Sequence, residues 1–471
     1  MFERRKQVEE QKQFWVVAGD LPEATPDAFY RRVNRTLEDM RFAEQVWAIC
    51  APAYAEGFRG GRPGVDPVVY LKMLMVGFFE DLGSERAIAS RCADSLSIRG
   101  FLGYSITETT PDHSTLSVIR ERLSLEQLEE VHGVLLQALR GHGLLKGRKL
   151  GIDSSVIEAN ASLRALQHRN TEESYWDYVR KLAAESGIDP EDAKAVRRFD
   201  KKRPGRKTSN QEWVNPHDPE ATVGKTKDGA TDMIYRPEHV TDLESGAIIR
   251  AEVRPGNAAD TTELTERVMT AVGALGEMAP EVPLEQFCRE LAADEGYFAI
   301  EEIAQLQGCG VRTVIADPHA AKRRPDTASE EHRSALRRAG RALRSASGKA
   351  LLRKRGEHLE RSFCHMLDHG GLRRTTLRGC ENLSKRQVIA ATTFNLSLLL
   401  RQRFGCGTPK QALAGVAGAL WRLLIAILVF IRPLSSILPK LLRLPRHIYF
   451  AHYCLTTSSA EGVSRGKSTA C

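Results

Sequence analysis

Three acidic residues that are far apart in the sequence occupy positions from which a sheet protein could bring them together. They are Asp153 in LGIDSSVI, Asp294 in LAADEGYF and Glu360 in GEHLERSF. Asp153 interrupts an apolar run that predicts a buried strand, where an unpaired carboxylate is costly. Carboxylates that share one site raise each other's pKa values unless a cation neutralises them. The alternative is that each acid is a cap or turn residue, because the chain offers 60 Asp and Glu residues from which to choose a trio.

Carboxylate oxygens suit Mg²⁺ or Mn²⁺, which keep coordination positions open for water and phosphate oxygens. Two such ions can activate an attacking oxygen and stabilise the leaving oxygen during phosphodiester cleavage. The trio therefore predicts a site for two Mg²⁺ or Mn²⁺ ions.

The region from about 146 to 403 must position these acids, and it alternates strand candidates with helix-like segments. Asp153 lies within the first strand candidate, Asp294 ends a later one, and Glu360 lies on a helix-like segment. LESG at 243–246 predicts a hairpin turn between two strands. The order predicts an α/β fold with a mixed sheet flanked by helices. The strand candidates are KLGIDSSVIEA, MIYRPEHVTD, GAIIRAEVRP, QFCRELAAD and VRTVIAD, and the helix-like segments lie at about 260–275, 297–307, 329–346 and 356–369.

The region before it, residues 1–145, is predicted to be all-helical. Asp66 and Pro67 are typical of the N-cap and first position of a helix, and Ser84 begins another helix. Several short helices separated by tight turns are compatible with a helix-turn-helix-like DNA-binding module. A helical dimerisation or packing domain fits the pattern as well, and no periodicity decides between them.

The composition favours a polyanionic partner and a reducing compartment. The formal net charge is +8, the sequence pI is near 9.0, and the nine cysteines form no CxxC pair. The N-terminal stretch is too polar for a secretory signal, so we expect a cytoplasmic protein. Residues 404–471 are predicted to be a C-terminal tail with a disordered end. Its apolar stretch, 412–431, has the length of a membrane span but carries Arg422 near its centre, which favours a buried or interfacial helix and no membrane partner.

Several blocks of the sequence, in the same order, resemble bacterial insertion-sequence DDE transposases. GRPGVDPVVYLKMLMVGFF and TPDHSTLSVIRERL resemble the N-terminal domain of that family. LGIDSSVIEANAS, DPEATVGKTKDG, EVRPGNAADTTEL and ADEGYFAIEEI are similar to successive blocks of its catalytic domain. HLERSFCHMLDHGGLRRTTLRGCENLSKRQVIAATTFNLSLLL is similar to its closing segment, so the resemblance extends from about residue 60 to 403.

The resemblance implies an RNase H-like fold and Mg²⁺-dependent DNA strand cleavage and transfer at the terminal inverted repeats of an element. By position, it assigns Asp153, Asp294 and Glu360 as the catalytic, metal-binding acids. It also implies double-stranded DNA as partner, a homodimer on DNA and association with the nucleoid. The alternatives are a catalytically decayed DNA-binding relative and a nuclease that hydrolyses without joining.

Three further acids compete for roles in the site. Glu357 lies one helical turn before Glu360 and is its chief rival. Asp317, after the strand candidate VRTVIAD, is a weaker rival to Asp294. Asp260, in GNAAD, matches a recurrent family position, but we expect it to cap the helix that follows.

Two positions depart from the family pattern. Related transposases often have a Lys seven residues after the catalytic Glu and an Arg four residues before it, where this chain has Leu367 and Gly356. Either Arg355 and Arg361 take over these DNA contacts, or the contacts are weakened and strand transfer is in doubt.

Basic residues cluster near the third acid, since residues 321–361 hold 13 Lys or Arg against five acids. They predict phosphate contacts without sequence reading, whereas the alternative is a solvated helix face. The predicted DNA-binding residues are Arg120, Arg122, Arg333, Arg337, Arg341, Arg344, Arg355 and Arg361.

The remaining candidates are weaker. The interruption at about 164–225 predicts a partly flexible insertion, and its basic run at 197–207 predicts a phosphate-contacting loop. Trp213, in the same insertion, is expected to be a core aromatic residue. In TPDHST, Asp112 is expected in a loop or cap, while Ser114 or Thr115 can cap the short helix that follows. His358, Cys364, His365 and His369 lack the spacing of a zinc site.

Overall fold

The computed structural model describes residues 25–55, 64–204, 209–320 and 329–414. The described residues up to Ala412 form one compact unit. Residues 415–471, with Arg422 and most of the predicted 412–431 helix, lie outside the described part of the chain. Within that part, no helix has the length and apolarity to cross a membrane.

Seven helices form the N-terminal region, as the sequence predicts. Helix α3 begins at Pro67 because Asp66 caps it, its carboxylate accepting a hydrogen bond from the Val68 N–H at 2.8 Å. Ser84 caps α4 in the same way. The cap of α6 is Asp112, not Ser114 or Thr115 as the sequence allowed. The helices are α1 (Thr25–Asp39), α2 (Phe42–Ala55), α3 (Pro67–Phe79), α4 (Glu85–Asp94), α5 (Leu96–Leu102), α6 (His113–Arg122) and α7 (Leu125–Gly141).

Five strands form the centre of a mixed sheet. They are β1 (Lys149–Ser154), β6 (Thr231–Asp242), β7 (Ile248–Pro255), β8 (Glu290–Ala292) and β9 (Arg312–Val314), in the spatial order β7-β6-β1-β8-β9. Strand β6 is antiparallel to both neighbours, whereas β1, β8 and β9 are parallel. The predicted hairpin at 243–246 joins β6 to β7, and Gly246 takes the positive φ of 82° that the turn requires.

Helices cover both sides of this sheet, which confirms the predicted α/β class with a mixed sheet and a helical N-terminal region. They are α10 (Leu264–Met278), α11 (Ile300–Gly308), α12 (Glu330–Arg344), α13 (Ala346–Phe363) and α14 (Cys380–Phe404). Helix α13 begins ten residues earlier than predicted and ends in a π-helical turn at Cys364–Asp368.

Helix α14 joins the N-terminal helices to the sheet. Its buried Asn395 binds the outer edge of β7, accepting from the Ile248 N–H at 2.9 Å and donating to the Ile248 carbonyl at 2.8 Å. Thr392, one turn earlier, lies 2.9 Å from the buried His132 of α7. One hydrophobic core therefore runs through the helical region and the sheet, and the predicted division at residue 145 remains a prediction about function.

The predicted insertion leaves the sheet after β2 (Ile157–Glu158) and returns at β5 (Thr222–Lys225). It contains β3 (Gln167–His168), α8 (Tyr175–Glu185), α9 (Ala193–Lys202) and β4 (Trp213–Val214). Trp213 is buried, as predicted, and its ring packs edge-on against those of His168 and Tyr175. The run predicted as a loop at 197–207 is helical up to Lys202, and residues 205–208 lie outside the described part.

Candidate active site

Two of the predicted acids lie side by side at the end of the parallel strands. The last paired residues of β1 and β8 are Gly151 and Ala292, and Asp153 and Asp294 each follow two residues later. Strands β1 and β8 run in the same direction, so both acids lie at the carboxyl edge of the sheet. Asp294 also accepts a hydrogen bond from the Gly296 N–H at 3.0 Å, which fixes the start of the following loop.

Asp260 is a third carboxylate in this cluster, and the expectation that it caps a helix is wrong. Helix α10 begins at Leu264, with Glu263 as an N-cap that makes no side-chain bond. A Cβ built on Gly296 would lie 3.2 Å from Asp294 Oδ1 and 3.5 Å from Asp260 Oδ2, so the two carboxylates approach the same glycine. The signal that could have identified Asp260 was its match to a recurrent family position.

Two donors hold Asp260 in place. Arg236 Nη1, on β6, lies 2.8 Å from both carboxylate oxygens of Asp260. The Ser154 hydroxyl donates to Oδ1 of the same carboxylate at 3.0 Å. Ser154 directly follows Asp153, so the Asp260 loop is bonded to the strand that carries the first predicted acid.

The Asp153 carboxyl lies in an electrostatically unfavourable position. Burial raises its pKa to about 6, and the negative charges of Asp294 and Asp260 act in the same direction. Arg355 Nη1 lies 2.9 Å from Asp153 Oδ2, and the Ser154 N–H donates to Oδ1 at 2.9 Å; both lower the pKa. The surplus of carboxylates makes this edge of the sheet suitable for a cation.

Arg355 reaches Asp153 because one face of α13 lies on the sheet. Leu359, one turn after Arg355, is fully buried, and its Cδ1 would lie 3.1 Å from a Cβ on Gly151. Arg355 was predicted to contact DNA; in this structure its guanidinium forms an ion pair with a predicted metal ligand.

The third predicted acid lies on another face of the same helix. Glu360 is exposed, and its carboxylate extends back along α13, where Oε1 lies 3.7 Å from a Cβ built on Gly356. Its rival Glu357 is exposed and pairs with Arg361 at 2.9 Å. Across the described residues, no three His, Cys, Asp or Glu side chains are arranged to hold a metal ion. Glu360 as third ligand therefore stays a prediction.

The remaining candidates for metal ligands lie apart from this cluster or have other partners. Asp317, the rival to Asp294, follows β9 and accepts from the His319 N–H at 2.8 Å. The rings of His365 and His369 lie 5.9 Å apart at the end of α13. Leu367, at the family's Lys position, is fully buried, so that position supplies no cation to the site.

A network of buried charged residues holds the two loops that carry Asp260 and Asp294. Glu238 on β6, paired in register with Ser154, is 2% exposed. It accepts hydrogen bonds from Arg267 Nη1 and from the Tyr297 hydroxyl at 2.9 Å. Arg267 also donates to the Asp260 carbonyl at 2.6 Å, and Tyr297 follows Asp294 by three residues. Glu238 thus fixes both loops that bring acids to β1, a role that sequence reasoning missed because the partners are distant in the chain.

The predicted basic stripe on α12 is present. Arg333, Arg337, Arg341 and Arg344 lie opposite the buried face that Ala335, Ala339 and Ala342 form. Two of the four have acidic partners, since Glu330 pairs with Arg333 at 3.2 Å and with Arg337 at 2.8 Å. Arg341 and Arg344 are exposed.

The two arginines predicted on α6 differ in accessibility. Arg120 is mostly buried in an ion pair with Glu85, and its Nε donates to Asn382 on α14 at 3.3 Å, which indicates a structural role. Arg122 is exposed and lies over the Tyr54 ring at 4.7 Å. Of this pair, Arg122 is the one accessible to DNA.

Comparison with known proteins identifies the helical region. Residues 20–122 match the family model described as a transposase domain (DUF772). No curated protein matches the chain. A chain in a crystal structure of a pre-cleavage Mos1 transpososome is similar at 14% identity, over 71% of this chain and 81% of that chain, with a TM-score of 0.19, which is too low to support an argument. The family match therefore lies in the N-terminal helical region, which is the part of the chain that is similar to a transposase domain.

Proposed function

We propose that the chain is a DDE transposase that catalyses Mg²⁺-dependent DNA strand cleavage and strand transfer at the terminal inverted repeats of an insertion sequence. The observation that carries this proposal is the position of Asp153 and Asp294 at the carboxyl edge of adjacent parallel strands. The strand order, with the second strand antiparallel, is the one expected if the sheet is RNase H-like, as the sequence resemblance implies.

In this proposal Asp153 and Asp294 hold the metal, with Glu360 completing the set. Carboxylate oxygens are donors that suit Mg²⁺ or Mn²⁺, and the three carboxylates of Asp153, Asp294 and Asp260 face two arginines, Arg355 and Arg236. Bound ions of this kind supply activation of an attacking oxygen and stabilisation of the leaving oxygen. Arg236 and Ser154 keep the Asp260 carboxylate beside the other two acids. Once it leaves Asp153, Arg355 is close enough to contact a DNA phosphate in the site.

The partners follow from the reaction. Double-stranded DNA is the substrate, both as element ends and as target, and Arg122 and the α12 stripe supply exposed cations for it. Joining two ends requires two active sites, so a homodimer on DNA is part of the proposal.

The test is nicking of a supercoiled plasmid that carries the element, in Mg²⁺ and in EDTA. We expect the unmodified chain to nick in Mg²⁺, and Asp153→Ala and Asp294→Asn to bind DNA without nicking. Glu360→Gln and Glu357→Gln form a matched pair, of which only the first should lose activity. Nicking that persists in EDTA or in Asp153→Ala would refute the proposal.

A second candidate is a DNA-binding relative that has lost catalysis. The observation that favours it is the Arg355–Asp153 ion pair, together with Gly356 and the buried Leu367 at the family's Arg and Lys positions. In that case the unmodified chain would bind DNA but never nick it. A nuclease that hydrolyses without joining would give nicked plasmid and no strand-transfer product.

A further inference from the structure

One helix of the insertion carries a cluster of cations that the proposed reaction does not use. Helix α9 holds Lys194, Arg197, Arg198, Lys201 and Lys202, and all five side chains are exposed. Successive helical residues are about 100° apart, so the five cover about 140° of the helix circumference. We call this surface the α9 basic face.

The α9 basic face carries a surplus of positive charge, although the exposed acids Glu191 and Asp192 precede the helix. In the described part of the chain, none of its five side chains forms an ion pair, in contrast to Arg180 and Lys181 on α8, which pair with Asp177 at 2.6 Å and Glu173 at 2.8 Å. Asp200, the acid within α9, is buried on the side of the helix opposite the α9 basic face.

Buried contacts hold α9 in place, so the backbone positions that carry the cations are fixed. Asp200 accepts hydrogen bonds from the Tyr175 hydroxyl and from Arg203 Nε, both at 2.9 Å. Val196, on the same side of α9, is also buried. Tyr175 belongs to α8 and packs against Trp213, so α9 is fixed to the small core of the insertion.

The insertion is attached to the sheet at the edge that carries the acids. Glu238 of β6 lies opposite Ser154, at the end of β1. Strands β2 and β5, which flank the insertion, pair with residues 231–235 of β6, beyond that point. DNA that extends past the acid cluster at this edge would approach the insertion.

We infer that the α9 basic face binds the sugar-phosphate backbone of duplex DNA beside the acid cluster. The inference extends the proposed function, because it takes the DNA substrate of that site as the ligand. A helix of 10 residues is about 15 Å long, and this length spans about four phosphates of one strand. Lys and Arg on an exposed helix contact phosphates without reading base sequence.

The experiment measures binding of a fluorescent duplex of random sequence to the full chain by anisotropy, without divalent metal, between about 50 and 200 mM KCl. The test variant is the double substitution Arg198→Ala, Lys201→Ala. Loss of two phosphate contacts should reduce the steepness of the plot of log K against log [salt] by about 1.8. Raising KCl over this range lowers the binding constant of the unmodified chain, and it should lower that of the test variant by a factor about 12-fold smaller.

The matched control is Arg180→Ala, Lys181→Ala, which removes the same charge from ion-paired positions on α8. Its slope should equal that of the unmodified chain, and Arg198→Lys, Lys201→Arg should restore the slope that the test variant loses. An unchanged slope in a folded test variant, or an equal loss in the control, would overturn the inference. The inference would also be overturned if the salt dependence of binding relied on the α9 basic face with duplex RNA but not with duplex DNA.

Failure of the proposed function gives a different result. If no variant nicks plasmid but the slope still depends on Arg198 and Lys201, the catalytic proposal is wrong and the α9 basic face is confirmed as a DNA-binding surface. If the unmodified chain nicks and the slope does not depend on these residues, only this inference fails.

Discussion

The buried carboxylate beneath the acid cluster offers a quantitative test of how the site is supported. Glu238→Ala removes the acceptor for Arg267, which is 7% exposed, and for the Tyr297 hydroxyl. Leaving one member of a buried ion pair without its partner costs about 3–5 kcal/mol. Arg267 keeps its bonds to the Asp260 and Glu263 carbonyls, so we expect the lower half of that range.

Further variants show how much each contact of Glu238 contributes to this loss of unfolding free energy. Tyr297→Phe removes one hydrogen bond to a charged group and should cost about 1.5–3 kcal/mol. Arg267→Met removes the closer of the two cations beside Glu238 and leaves Arg254 at 3.5 Å, so it should cost no more than Glu238→Ala. Glu238→Met combined with Arg267→Met removes both charges and should cost less than the sum of Glu238→Met alone and Arg267→Met alone, by about 1–3 kcal/mol.

The assay is urea-induced unfolding of the full chain, followed by circular dichroism at mildly alkaline pH. Burial raises the pKa of Glu238 to about 7 against the opposing charges of Arg267 and Arg254, so the carboxyl is mostly ionised at mildly alkaline pH. The reasoning would be refuted if Glu238→Ala cost less than about 1 kcal/mol. Strict additivity of the two Met substitutions would refute the claim that the residues act as a pair.

Three other perturbations test the fold. Burial lowers the pKa of His132 from 6.5 to about 4, so the unfolded chain takes up a proton first and stability is lost as the pH falls from 6.5 towards 4. We expect His132→Gln to remove about 2–3 kcal/mol of this loss between neutral pH and pH 4.5, measured as the difference in unfolding free energy; equal pH dependence in both chains would contradict this. Gly151→Val places a side chain where a Cβ would already lie 2.7 Å from Leu243 and 3.1 Å from Leu359, and should cost about 1–3 kcal/mol in urea unfolding, whereas unchanged stability would show that α13 can move away. Asp112→Ala should lower the thermal midpoint because α6 loses its cap, while Asp112→Asn should restore most of it, and an equal loss in both would argue against a capping role.

Local signals in the sequence were sufficient to predict most of the fold. Asp66 and Pro67 give a helix start that depends only on neighbouring backbone groups, and the structure has it there. The five strand candidates are rich in apolar and β-branched residues, and each overlaps a strand of the sheet. Helix α13 was predicted too short because its first turns are polar and basic, and Gly348 weakens the helical pattern although it fits closely beside the Ala342 carbonyl.

The site was harder to predict because its contacts are tertiary. Asp153 and Asp294 could be placed together in advance, because one lies in a strand candidate, the other ends one, and strand ends can converge on one cleft; that their strands are parallel neighbours is visible only in the structure. Asp260 was assigned to a cap because its position before a helix was visible and its bond to Arg236 on β6 was not. Arg355 was assigned to DNA because the sequence shows its charge but not which side of α13 lies on the sheet.

Helix α14 bears on the distance between a bound DNA end and the acid cluster. Lys385 Nζ donates to the Arg120 carbonyl at 3.2 Å, and ten residues later Asn395 holds the edge of the sheet. Helix α14 therefore links α6 rigidly to the sheet, and if α6 contacts DNA as proposed, that DNA would lie at a constant distance from the carboxylates. Cleavage position would then be set by the length of a protein element and would shift by whole turns if that element were lengthened.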